Sequence, residues 1–91
     1  MTRATGFYFA NLGADVERCL RAADDGDEKR YADSLSRAYR TLNYLRSRPE
    51  AYEEGLLLLR GLAFAKNEAG SRRVFGRLLD GLISPMSLTN H

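Results

Sequence analysis

Residues 55–65 read GLLLLRGLAFA, with one charge in eleven positions. The run falls short of the roughly 18 residues a membrane-spanning helix needs. It is also too evenly apolar for an ordinary surface helix. Tyr52, Leu56, Leu59 and Ala63 form one stripe on a helical wheel, Leu57 and Phe64 fall about 100° to one side, and Leu58 and Ala65 lie on the other flank. A helix apolar nearly all round is buried on most sides. Whatever the rest of the chain becomes, it must cover this segment or leave part of it for a partner.

The rest of the chain reads as helices. Apolar residues recur at three- and four-residue spacing in residues 5–23, 28–46, 48–68 and 72–83. In the first segment Phe9, Leu12, Val16, Cys19, Leu20 and Ala23 share a face, with Thr5 placed to cap its start. Asp24-Asp25-Gly26-Asp27 is a turn: Gly26 can adopt the left-handed conformation that ends a helix, and Asp27 can cap the next one. The second segment carries Tyr31, Leu35, Ala38, Leu42 and Leu45 as a stripe. Ser47-Arg48-Pro49-Glu50 has the form of a capping box opening the third. Gly70 is expected to stop the third helix, Ser71 to cap the fourth, and Pro85 to end it, leaving a frayed tail over 85–91. Phe75, Leu78, Leu79 and Leu82 are expected to face the core together. The connections are short and no hairpin signal occurs. The expected fold is one all-α domain, a compact antiparallel (up-down-up-down) four-helix bundle.

Composition narrows the function classes. The chain has 91 residues, one core's worth of sequence, and the core of a chain this size is thin. A single cysteine excludes an internal disulfide, and a single histidine, His91, excludes triads and histidine-rich metal sites. No phosphate-cradling glycine loop is present. Cys19 lies on an apolar stripe and reads as an inert core thiol. The acidic turn lacks the spacing of a calcium loop. No catalytic residue, metal ligand or cofactor site is expected, and the chain reads as a non-enzyme. The opening residues do not have the form of a secretory signal, which with the lone thiol points to the cytoplasm.

Two functional readings remain. The first is a protein–protein interaction module, with a helical partner or a second copy docking on the unburied flank of the third helix. Its candidate residues are Leu57, Phe64, Leu58 and Arg60, with the aromatic pair Phe7 and Tyr8. A small core gains much from dimerisation. The second reading is a small RNA- or DNA-binding module. Twelve of the fourteen basic residues are arginines, and residues 29–48 carry six basic groups against Asp33 alone. Arg30, Arg37, Tyr44 and Arg48 fall on one side of the second helix, and Arg72 and Arg73 open the fourth. The net charge of +2 is low for a nucleic-acid binder. The chain alternates acidic and basic segments, which ion pairing between neighbouring helices would also produce.

Overall fold

The structure, a computed structural model, describes residues 3–88, with side-chain burial described for 4–82. Four helices account for nearly all of it: α1 (Arg3–Asp24), α2 (Glu28–Tyr44), α3 (Pro49–Ala65) and α4 (Ala69–Leu88). No strand occurs among the described residues.

The first connection forms as its residues dictate. Gly26 has φ of 69°, the Gly26 amide donates to the Ala23 carbonyl (3.1 Å), and the Asp27 amide donates to Ala22 (2.8 Å). Those two bonds are the Schellman pair that satisfies the last carbonyls of a helix. Asp27 then caps α2 by accepting from the Arg30 amide at 3.0 Å.

Other boundaries differ from the sequence reading. Helix α1 starts at Arg3, so Thr5 lies inside it, buried, and is not its cap. Pro49 occupies the first position of α3, where its missing N–H costs nothing. That makes Arg48 the cap residue and leaves Ser47 outside the helix, so the capping box does not form. The third turn falls earlier than expected, after Ala65. Gly70 does not have positive φ and so does not terminate a helix. It sits with Ser71 in the first turn of α4, whose opening bond runs from the Arg72 amide to the Glu68 carbonyl (3.0 Å). Helix α4 continues past Pro85 to Leu88. A proline forfeits one bond to the carbonyl four residues back. Here that residue is Gly81.

Helices α1 and α3 each pack against the other three, whereas α2 and α4 do not touch among the described residues. The section is a rhombus with α1 and α3 on its short diagonal. Contacts between α1 and α2 run in opposite order along the two helices: Cys19 with Tyr31, Asp15 with Thr41, Tyr8 with Tyr44. The core joins Phe9, Leu12, Val16 and Cys19 to Tyr31, Ala38, Leu42 and Leu45, then to Leu58, Leu59, Leu62 and Leu79.

The short diagonal sets the rotation of α3. Its buried residues are Ala51, Gly55, Leu58, Leu59, Leu62 and Ala65; of the expected stripe only Leu59 is buried, while Tyr52 and Leu56 are partly so and Ala63 is exposed. Gly55 is the reason. A Cβ there would lie 2.5 Å from Leu42 Cδ1 and 2.9 Å from Leu12 Cδ2. Glycine lets α3 settle between α1 and α2 on that side. Leu58 turns inward with it and is only 7% exposed. It is a core residue rather than part of a partner surface.

Candidate interaction face

On the edge where α3 meets α4, the apolar flank expected of α3 faces outward. Leu57 is 63% exposed and Phe64 93%. Helix α4 adds to the same face. Only Leu79 of its apolar stripe is fully buried and Phe75 is partly so, while Val74, Leu78 and Leu82 are more than half exposed. The expected four-residue core stripe is thus split. Gly61 explains the inward half: a Cβ there would lie 2.6 Å from Phe75 Cε2, so the ring of α4 lies directly on the backbone of α3. Beside that contact runs an apolar groove of about 570 Å³, lined by Gly61, Phe64, Val74, Phe75 and Leu78, with Glu68 at one end. Arg60 is exposed on α3.

The other two residues expected at this interface lie elsewhere. Tyr8 stacks on Tyr44 of α2, with ring centroids 5.0 Å apart, and Phe7 meets Tyr8 edge-on at 5.6 Å. Phe7 is exposed and Tyr8 half-buried at the end of the molecule opposite Phe64, and neither lines the α3–α4 groove.

The arginines of α2 and those opening α4 lie in separate groups, and α2 and α4 do not meet among the described residues. Arg30 pairs with Asp25 (3.2 Å) and Asp27 (3.9 Å). Arg72 is largely buried, pairing with Asp24 and donating to the Lys66 carbonyl at 2.6 Å. Lys66 in turn reaches Glu28 (3.0 Å) and lies 4.3 Å over the Tyr31 ring. The Arg72 and Lys66 contacts join the α1–α2 turn to the α3–α4 turn, whereas Arg30 is paired within the α1–α2 turn itself. Arg73 lines a separate groove between α1 and α4 with Glu17, Arg77 and Asp80. Glu17 is raised above its ordinary carboxyl value, first by desolvation, then by a hydrogen bond with Asp80 and by that residue's charge. Arg37 and Tyr44 line a third groove, between α1 and α2, and Arg48 is exposed at the start of α3.

Sequence reasoning did not find Asp15. It is 5% exposed on α1, held by Arg18 (2.7 Å) and by the Thr41 hydroxyl (3.4 Å). The only signal was the three-residue spacing of Asp15 and Arg18. Cys19 is buried, its sulfur 3.8 Å from the Tyr31 carbonyl, and burial followed by the nearby Asp15 charge pushes its thiol up to about 11. Among the described residues no cluster of three or more His, Cys, Asp or Glu is placed to hold a metal ion, and no helix is long and apolar enough to cross a membrane.

The chain matches no family model, no curated protein and no solved structure. What the fold and its surfaces define is a four-helix all-α domain with one apolar two-helix face.

Proposed function

We propose that this chain is a protein–protein interaction module that self-associates through the α3–α4 face, forming a two-fold dimer in the cytoplasm. The observation that carries the reading is that one face holds both a projecting aromatic, Phe64, and an apolar groove beside it. A two-fold contact is self-complementary: what one copy inserts, the other receives, twice over. Phe64 of each copy would enter the groove of the other, over Gly61 and Phe75. Leu57, Val74 and Leu78 would close around it, with Arg60 and Glu53 at the rim. A standard interface takes about 800 Å² from each partner, which calls for both helices rather than α3 alone. The reading involves no catalysis, metal or cofactor.

The test is light scattering on the untagged chain over a concentration series, beside the double variant Leu57→Asp, Phe64→Asp. The expected result is a dimer mass for the parent chain and a monomer with unchanged helical circular dichroism for the variant. A parent chain that stays monomeric throughout, a variant that remains dimeric, or a variant that unfolds would each refute the reading.

A further inference from the structure

The α1–α2 edge, away from the proposed dimer face, carries a feature that self-association does not use. A shallow groove of about 340 Å³ is lined by Asn11, Asp15, Arg18, Arg37, Arg40, Thr41 and Tyr44. Three arginines there face one carboxylate. That carboxylate, Asp15, is already committed to Arg18 and Thr41 inside the groove. Arg37 and Arg40 are exposed and make no ion pair among the described residues, in contrast to Arg30 and Arg72. Beside them Tyr44 is 65% exposed, one face of its ring stacked on Tyr8. Unneutralised guanidinium groups next to an open aromatic face are the two parts needed to hold a phosphate and the planar base attached to it.

We infer that this groove binds single-stranded nucleic acid, with phosphates between Arg37 and Arg40 and a base on Tyr44. The chemistry selects a single strand. A duplex stacks its bases on one another and offers no face to a tyrosine, whereas an unpaired strand does. A free nucleotide is the weaker fit, because small-ligand sites bury most of their ligand, and here both arginines and Tyr44 are exposed. A strand makes up for a shallow site by touching several points along it. Two more exposed arginines, Arg46 and Arg48, follow Tyr44 in the chain.

Fluorescence anisotropy tests this with labelled single strands of about ten nucleotides, one of RNA and one of DNA, and a duplex of the same length. Two or three phosphate contacts predict roughly a tenfold loss of affinity between about 50 and 200 mM salt. Arg37→Glu with Arg40→Glu is expected to cost at least about tenfold at the lower salt. Tyr44→Leu, which keeps an apolar contact for Tyr8, is expected to cost roughly tenfold for losing a stacked base. Both variants should keep the helical signal, since the altered groups are exposed. Support requires single-strand binding that shows all three responses and exceeds binding to the duplex. The inference is overturned by no saturable binding at the lower salt, by equal binding of the duplex, by tighter binding of a free mononucleotide, or by variants that bind like the parent chain. The Leu57→Asp, Phe64→Asp variant separates the two proposals: it should lose the dimer and leave each chain's groove intact.

Discussion

Leu58 and Phe64 belong to the same helix and have similar chemistry, yet truncating them should have opposite consequences. Leu58 is 7% exposed within the core, so Leu58→Ala removes buried methyl groups and leaves a cavity. Such changes cost about 2–5 kcal/mol. For a domain of this size, with about 4–8 °C per kcal/mol, Tm should fall by roughly 10 °C or more. Phe64 is 93% exposed, so Phe64→Ala should change the stability of the isolated chain by no more than about 0.5 kcal/mol. Its effect should appear in association instead. Burying a phenylalanine side chain is worth about 1.5–3 kcal/mol, and a two-fold contact buries it twice. The loss of about 3–6 kcal/mol corresponds to a dimer Kd weakened by roughly 10²- to 10⁴-fold. Thermal and urea melts must be run below the dimer Kd, because association itself stabilises the fold by mass action. Sedimentation velocity over a dilution series gives the Kd. A Phe64→Ala melt as low as that of Leu58→Ala would show that Phe64 supports the core. An unchanged Kd would show that it is not at the interface.

Further predictions concern the packing and the titrating groups. Gly55→Ala should destabilise by about 1–3 kcal/mol despite alanine's better helix propensity, because its methyl group meets Leu42 and Leu12; Gly81→Ala, with open space around it, should stabilise by up to about 1 kcal/mol, and reversal of that order in thermal melts would refute the close approach. Cys19 should react with a thiol reagent only as fast as the chain unfolds, since the sulfur is buried and its pKa is pushed up to about 11; rapid labelling of the folded protein at neutral pH would refute this. Glu17 is raised above 4.5, chiefly by desolvation and then by Asp80. The folded state therefore holds that proton more tightly than the unfolded chain does. Its contribution to stability is fully present below the unfolded value and is lost as pH rises through the folded one. Glu17→Gln should accordingly raise stability at neutral pH and flatten the pH dependence above 4.5; a neutral-pH loss would refute the sign.

Much of this protein was legible from local pattern. The number of helices, the Gly26 and Asp27 junction and the inward faces of α1 and α2 follow from residue spacing and turn chemistry. These act within a few residues and depend little on what lies across the fold. The exposure of Leu57 and Phe64 was legible for a related reason: α3 has more apolar surface than three neighbouring helices can cover. Local pattern failed at the ends of α3 and α4. Ser47, Gly70 and Ser71 are sound capping residues taken alone, but Pro49 claims the first position of α3, and the turn after Ala65 ends that helix before Gly70 is reached.

What tertiary structure alone decided is rotation and neighbourhood. With leucine at four successive positions, residues 56–59, periodicity cannot choose the inward side of α3. The close approach at Gly55 chooses it, placing Leu58 inside and leaving Tyr52 and Leu56 only partly buried. The same holds for the charges. Sequence shows that residues 29–48 are rich in arginine. It does not show that Arg30 and Arg72 are neutralised at the bundle end while Arg37 and Arg40 are left beside Tyr44. That follows from the short diagonal between α1 and α3, which holds α2 and α4 apart and gives each basic cluster different neighbours. Helix formation is a near-neighbour property of the chain. Which helix faces pair, and which residues are left to meet a partner, depends on how the side chains of one helix seat against the backbone of the next, and here Gly55 receives Leu42 and Leu12 while Gly61 receives Phe75.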